Sequence, residues 1–229
     1  MATQIPVSFE FRSDQSFDNF LPGKNLELVQ QLQHLPSSGQ KQIAIWGESH
    51  SGKTHLLNAC CKQARQQAFS SFYLDLQTIS NPEILDGLES VELVCIDNID
   101  CIAGQTAWEE GLFGFYNRHQ QLHHQLLISS HQAINNLAIQ LPDLKTRLNW
   151  GLSFKLQSLS EAELIKVLQI TAHQLGFELA DQVAKYLFAR YSHDLVKLNH
   201  LLREIDQATL SAQRKLTIPF LKQMFNEQE

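Results

Sequence analysis

The sequence predicts an α/β fold with a parallel five-stranded sheet, followed by a smaller domain made only of helices. Five short apolar runs alternate with helical stretches, which is typical of a parallel sheet that helices cover on both faces. After the fifth run the spacing of apolar residues becomes helical throughout, and 229 residues are enough for two cores. The apolar runs are 43–46, 72–74, 91–96, 126–128 and 154–156.

The helical part begins with a sequence pattern that marks the N-terminus of a helix. Ser160 and Glu163 have the spacing of a capping box, and apolar residues at helical spacing follow them. Further along, Thr217 can cap a last helix in which Pro219 lies in the first turn, where a missing N–H is harmless. We therefore expect the sheet to end near residue 157 and helices to fill the remainder.

Composition and charge exclude several classes of protein. The 43% hydrophobic and 18% charged residues are typical of a globular chain, and no apolar run approaches the ~18 residues of a membrane span. The first residues lack a secretory pattern, so a cytoplasmic protein with no membrane contact is expected. A net charge of -6 argues against DNA binding by bulk charge. The basic excess over 185–222 is a solvated helix face or a weak phosphate contact.

Cysteines and histidines do not show the spacing of a metal site. The four cysteines contain no C-x-x-C pair and have apolar neighbours, so they are interpreted as reduced core thiols. His119, His123 and His124 lie in a polar stretch without acidic or thiol partners at ligand spacing, and we expect them at the surface.

Residues 47–54 fit the phosphate-binding pattern G-x-x-x-x-G-K-[S/T]. They follow the first predicted strand and open a helix, which is the context that this loop requires. Its glycines let main-chain N–H groups face phosphate oxygens, and the lysine neutralises their charge, so ADP or ATP is the expected ligand. The predicted nucleotide contacts in this segment are Gly47, Glu48, Ser49, His50, Ser51, Gly52, Lys53, Thr54 and His55.

A carboxylate ends the third apolar run. Asp97 directly follows Ile96, at the position where P-loop proteins place a residue that holds magnesium. The Thr54 hydroxyl is the other oxygen ligand that the phosphate loop can provide. We predict Thr54 and Asp97 as ligands of Mg²⁺, the alternative for Asp97 being a structural carboxylate at the strand end.

From these motifs outward, nearly the whole chain resembles the DnaA-related AAA+ family. Residues 16–23 are similar to the family segment that lies against the nucleotide base, which implies base contacts for Phe17 and Phe20. Residues 97–99 resemble the second acidic motif, and residues 144–151 resemble the segment that carries an arginine finger. The family organisation implied is an N-terminal peptide, a P-loop AAA+ core and a helical lid, over residues 1–15, 16–157 and 158–229.

Arg147 has the finger's position in the last of these segments. An always-charged, planar donor can stabilise charge that develops on a transferred phosphoryl group in a neighbouring subunit. A surface ion pair is the alternative. The resemblance is greatest to short regulatory members of the family, which implies a negative regulator of replication initiation. With ADP or ATP bound, it would present Arg147 to ATP held by DnaA and so stimulate hydrolysis there.

The N-terminal peptide resembles the short motif with which replication proteins bind the sliding clamp. Gln4, Val7 and Phe9 provide a glutamine and spaced apolar residues that end in an aromatic ring. Such a peptide places apolar anchors in a groove while the glutamine satisfies polar groups at its edge. DnaA and the DNA-loaded clamp are thus the implied partners, and DNA is reached indirectly through the clamp. Monomer and homodimer both stay open, and origin recognition by a further domain is not expected.

Three positions depart from the family pattern. Asn98 stands where many such ATPases have a carboxylate that orients attacking water. Val196 stands where a second sensor arginine is expected, and Lys197 next to it is the alternative, although it faces another way. His131 replaces an acidic residue after the fourth strand, which leaves Ser129 or Ser130 as polar sensors. Weak intrinsic ATP hydrolysis is therefore expected.

Two other functions use the same phosphate loop. A self-contained motor, such as a helicase loader or remodeller on DNA, would show brisk turnover that single-stranded DNA stimulates. A small-molecule kinase would need a second pocket with arginines near the edge of the sheet, and the sequence offers few besides Arg118 and Arg147.

Overall fold

The structure, a computed structural model, describes residues 15–35, 39–191, 195–212 and 216–225. Its strands form one five-stranded sheet with the order β2-β3-β4-β1-β5, in which every neighbouring pair is parallel. The predicted parallel sheet is therefore confirmed. The strands are β1 (Gln42–Trp46), β2 (Ser71–Asp75), β3 (Leu93–Asp97), β4 (Gln125–Ser130) and β5 (Leu152–Lys155).

Among the described residues, one α-helix precedes the first strand, three connect strands and four follow the last strand, while β2 and β3 are joined by short 3-10 turns in place of an α-helix. The first four are α1 (Leu26–Gln33), α2 (Lys53–Gln66), α3 (Thr106–Gln121) and α4 (Pro142–Leu148). The last four are α5 (Glu161–Leu175), α6 (Asp181–Arg190), α7 (Leu195–Ala212) and α8 (Ile218–Met224). No helix in the described ranges has both the length and the apolar character needed to cross a membrane.

The sheet separates two apolar layers. In β1, Ala44 faces one layer while Ile43 and Ile45 face the other, because successive side chains of a strand point to opposite faces. Helices α3 and α4 contribute Phe115 and Leu144 to the first layer, and α1 and α2 pack into the second. Burial on both faces explains why the central strands have uninterrupted apolar sequences.

The chain divides into two compact units, with the division between Ser158 and Leu159. The second unit has its own core, to which α5, α6, α7 and α8 all contribute buried side chains. At the start of α5, the Glu163 carboxylate accepts hydrogen bonds from the Ser160 N–H at 2.8 Å and from its hydroxyl at 2.6 Å. At the start of α8, the Thr217 hydroxyl accepts from the Phe220 N–H at 3.4 Å. Both predicted caps are present.

The prediction of surface histidines is wrong for His119. Its side chain is fully buried on α3, where one ring nitrogen, Nε2, lies 3.0 Å from the carbonyl oxygen of Val91. Burial lowers the pKa of His119 to about 4, so this histidine is a neutral core residue near pH 7. His123 is exposed and His124 is half-buried. The cysteines are free thiols, of which only Cys101 is not fully buried.

Candidate functional site

The phosphate loop lies at the carboxyl end of β1 and leads directly into α2. The Gly47 N–H donates to the Ser130 carbonyl at 3.2 Å, which ties the loop to the neighbouring strand β4. A Cβ atom on Gly47 would lie 2.6 Å from the main-chain oxygen of Leu156, so no larger residue fits there. Gly52 has a φ of 103° at the start of α2, in the left-handed region that favours glycine. At both positions the geometry of the loop therefore requires glycine.

Lys53 places a buried positive charge inside this loop. Its Nζ donates to the carbonyl oxygens of Gly47 at 2.8 Å and Glu48 at 2.7 Å. Burial lowers the pKa of Lys53, and the negative charges of Asp97 and Asp100 oppose that shift. An ammonium group that donates to carbonyl oxygens in a buried loop can gain a full counter-charge from a phosphate.

Ser51 supports the same interpretation. Its hydroxyl oxygen is buried, and among the described residues it has no hydrogen-bond partner. A buried hydroxyl without a partner costs free energy unless a ligand or water satisfies it. With the adjacent ammonium of Lys53 and the N–H groups at the start of α2, the loop fits the phosphates of a nucleotide. Glu48, Ser49 and His50 of the loop are exposed.

Asp97 is the centre of a hydrogen-bond cluster at the end of β3. Its Oδ2 atom accepts from the Thr54 hydroxyl at 2.6 Å and from the Tyr73 hydroxyl at 2.8 Å. Its Oδ1 atom accepts from the Ser129 hydroxyl and, at 3.1 Å, from the Asn98 N–H. Thr54 donates its proton to Asp97, so the lone pairs of its oxygen stay available to a cation.

The donor set fits magnesium that is shared with a phosphate ligand. Thr54 and Asp97 are oxygen donors, which Mg²⁺ prefers, and Mg²⁺ takes its other ligands from phosphates and water. Within the described ranges, no cluster of three or more His, Cys, Asp or Glu side chains could hold a metal by itself. Any metal at this position is therefore expected to depend on the nucleotide.

Sequence reasoning missed Tyr73 and Asp75, which β2 contributes to the same edge. Burial, followed by the charge of Asp97, raises the pKa of Tyr73, so its hydroxyl remains a donor. Asn98 has a φ of 60°, and its side-chain amide donates to Asp75 at 2.9 Å. Because β2 and β3 pair in register, Asp75 lies opposite Asp97. Only that register, which the sequence does not show, brings these groups together.

The predicted base-contacting segment lies against the start of α2. The Phe20 ring is so near Gly52 that a Cβ atom there would lie 2.9 Å from Phe20 Cε2. The rings of Phe20 and His55 have centroids 5.3 Å apart, and His55 Nε2 lies 2.8 Å from the carbonyl oxygen of Ser16. Phe17 packs against the same apolar layer. Phe17, Phe20 and His55 thus adjoin the phosphate loop.

Arg147 lies on α4, outside this cluster. The side chain is half-buried, and its guanidinium carbon lies 4.1 Å from the centroid of the Trp150 ring. In the described part of the chain, no carboxylate forms an ion pair with Arg147 and no hydrogen bond joins it to the phosphate loop. The alternative considered for Arg147, a surface ion pair, is thus not the arrangement found among these residues.

Glu109 anchors the segment that leads into α4, and sequence reasoning missed it. This buried carboxylate on α3 accepts main-chain N–H groups of Gly104 at 2.7 Å, Gln140 at 3.0 Å and Leu141 at 2.7 Å. The last two residues directly precede α4. The helix that carries Arg147 is therefore held at its start as well as by its buried leucines.

The other residues singled out in the sequence are the candidate polar sensors, the second sensor position and the N-terminal peptide. His131 Nδ1 lies 2.8 Å from Asp100 Oδ2, so an acidic side chain is present beside the position that departs from the family pattern. Ser129 contacts Asp97, whereas the Ser130 hydroxyl donates to the main-chain oxygen of Gln132. The side chain of Val196 and all of Gln4, Val7 and Phe9 lie outside the described residues.

Known proteins match both parts of the chain. Residues 11–155 match the family of the bacterial DnaA ATPase domain, and residues 161–225 match the family of the Hda lid domain. Domain III of the replication initiation protein DnaA from Thermotoga maritima is similar with a TM-score of 0.78 and 19% identity. That comparison covers 94% of this chain and 97% of that one.

Longer DnaA structures are similar over the same part of the fold. AMPPCP-bound DnaA from Aquifex aeolicus has a TM-score of 0.69 and 20% identity, over 86% of this chain and 66% of that one. A DNA replication initiation factor gives 0.69 and 20%, over 84% and 64%. The chain thus spans about two thirds of the length of these two proteins. At such identities the likeness shows a common fold.

Proposed function

This chain belongs to the family of bacterial DnaA ATPase domains, and from that premise we propose that it regulates DnaA by promoting hydrolysis of DnaA-bound ATP. In this proposal the chain binds ADP or ATP with Mg²⁺ in its own phosphate loop. It attaches to the DNA-loaded sliding clamp and presents Arg147 to the ATP held by DnaA. Replication initiation is thereby inhibited.

The observation that carries the proposal is that, among the described residues, Arg147 makes no hydrogen bond to the chain's own phosphate loop and contacts the Trp150 ring instead. A guanidinium that served the chain's own nucleotide would contact the loop or Asp97, yet its described contact is the Trp150 ring. A half-buried arginine that no described carboxylate neutralises is suited to the phosphate of another molecule. An arginine supplied in trans raises the rate of hydrolysis by about 10³- to 10⁵-fold.

The chain's own site is suited to holding a nucleotide more than to cleaving it. Lys53 and the loop N–H groups would bind the phosphates, and Thr54 and Asp97 would hold Mg²⁺, which supplies charge neutralisation when bound. The Asn98 side chain donates to Asp75, and an amide is a poor general base. Bound nucleotide therefore acts as a structural ligand of the regulator, and intrinsic turnover is slow. AMPPCP binding by the similar Aquifex protein supports a nucleotide in this fold.

The test measures loss of DnaA-bound ATP in the presence of loaded clamp and this chain. Arg147→Ala is expected to lower the stimulated rate by about 10³-fold, and Arg147→Lys by nearly as much, because lysine lacks the planar fork. Arg118→Ala is the matched control, since Arg118 is exposed and pairs with Asp86 at 3.3 Å. If the Arg147→Ala protein stimulates hydrolysis as much as the wild type does, Arg147 is not an arginine finger for DnaA-bound ATP.

A second arm of the same assay tests attachment. A Gln4→Ala, Phe9→Ala variant is expected to lose both retention on immobilised clamp and clamp-dependent stimulation, because the apolar anchor and the amide are removed. Equal retention of variant and wild type would contradict clamp binding by this peptide. Brisk intrinsic turnover that single-stranded DNA stimulates would instead support a self-contained motor.

A further inference from the structure

Trp150 is an exposed tryptophan with no place in an apolar core. It lies two residues after the end of α4, and 64% of its surface is accessible to solvent. Its ring nevertheless has a defined neighbour, because the guanidinium carbon of Arg147 lies 4.1 Å from the ring centroid. At that distance the cation lies over the face of the ring, where the π electrons attract positive charge.

The main chain on both sides of Trp150 is held against β1. On one side, the buried Leu148 has a carbonyl oxygen that accepts from the Gln42 side-chain amide at 2.6 Å. On the other side, Gly151 packs so closely on the Gln42 main chain that a Cβ atom would collide with its carbonyl oxygen. The Trp150 N–H also donates to the Arg147 carbonyl at 3.1 Å. The ring therefore stands on an anchored segment.

Stacking on a ring face leaves the edge of a guanidinium available. All five N–H donors of arginine point outward in the plane of the group, so a ring on one face blocks none of them. A free arginine side chain has many rotamers, and restricting them beforehand lowers the cost of forming hydrogen bonds in a complex. A ring platform can thus orient Arg147 without consuming its donors.

We infer that Trp150 is a positioning residue for Arg147, whose ring face holds the guanidinium in the orientation that reaches the γ-phosphate of a partner's nucleotide. This inference rests on the proposed function, because it needs Arg147 to act in trans. Trp150 itself does not touch the nucleotide. It acts only through Arg147, so its effect requires an aromatic ring at this position and a guanidinium at the other.

The experiment compares Trp150→Leu with Trp150→Phe in the assay of DnaA-bound ATP loss. Loss of a cation–π contact at an exposed site corresponds to a decrease of about 2- to 5-fold, which we expect in the maximal rate for Trp150→Leu. Trp150→Phe is expected to retain most of the rate, because it keeps a ring face. The concentration of this chain that gives half-maximal rate stays unchanged, and Leu122→Ala, at another exposed apolar side chain, is the control.

A double-variant measurement separates failure of this inference from failure of the proposed function. In an Arg147→Ala background, Trp150→Leu is expected to have no further effect, since the group that it positions is absent. If Arg147→Ala alone leaves the rate unchanged, the proposed function fails. If Arg147→Ala lowers the rate while Trp150→Leu does not, only the positioning role fails. Equal losses for Trp150→Leu and Trp150→Phe, or a change confined to the half-maximal concentration, would also overturn it.

Discussion

Replacing Gly52 with alanine tests whether the phosphate loop has the geometry described. Gly52 has a φ of 103°, and an alanine there has an unfavourable left-handed backbone that costs about 1–2 kcal/mol. The added Cβ would also lie 2.9 Å from Phe20 Cε2, and pushing a packed ring aside costs about 1–3 kcal/mol more. We expect Gly52→Ala to lower the free energy of unfolding by about 2–5 kcal/mol, the sum of these two costs.

Gly87 provides a matched control within the same unit. Its φ is 90°, but a Cβ atom there would meet nothing within 4 Å, so Gly87→Ala has only the backbone cost of about 1–2 kcal/mol. Equilibrium urea unfolding of both variants measures the difference, which reports the clash with Phe20. In a Phe20→Leu background that difference should shrink by about 1 kcal/mol or more, because the ring is gone.

Equal losses for the two glycine variants would refute the close packing of Phe20 on Gly52. So would strict additivity of Gly52→Ala and Phe20→Leu, since residues in contact should couple. Nucleotide affinity, measured on the same proteins, should fall for Gly52→Ala and stay unchanged for Gly87→Ala, because only the first alters the curl of the phosphate loop.

Two further predictions concern buried ionisable groups. Burial lowers the pKa of His119 to about 4 from an unfolded value near 6.5, so its contribution to stability is complete above about pH 6.5 and is lost as the pH falls through 4. The loss is about 3 kcal/mol by urea unfolding between pH 7 and pH 3.5, it should shrink in His119→Gln, and it should persist in a variant of the exposed His123. Glu109→Gln should cost about 2–3 kcal/mol, because one amide oxygen replaces two carboxylate oxygens that accept three main-chain N–H groups. The exposed neighbour Glu110 is the control, and an equal effect of Glu110→Gln would contradict this role.

The sheet and the helical unit followed from local sequence patterns. Apolar runs separated by helical spacing predicted the five strands, and in the central strands β1, β3 and β4 these runs are uninterrupted because both faces are buried. The capping box of Ser160 and Glu163 was equally local, as its partners are three residues apart. Contacts of this kind depend on a few neighbouring residues, and a single sequence shows them directly.

Only part of the candidate site could be predicted from the sequence in the same way. Residues 47–54 and Asp97 were found from motif and context, since phosphate binding needs glycines and a lysine at fixed spacing. Tyr73 was missed because it contacts Asp97 across two strands, at a separation of 24 residues. Its position in β2 looked like that of any apolar strand residue, and only the register of β2 on β3 revealed its role.

The amino-acid sequence alone thus determined the order of strands and helices along the chain, the phosphate loop and the identity of the acidic residue, because each depends on residues adjacent in the chain. The tertiary structure decided which groups share an environment. It buried His119, joined Glu109 to the segment before α4 and placed the Arg147 guanidinium over the Trp150 ring. The physical reason is that burial, hydrogen-bond partners and charge screening depend on distances in space, which packing of the sheet and helices sets.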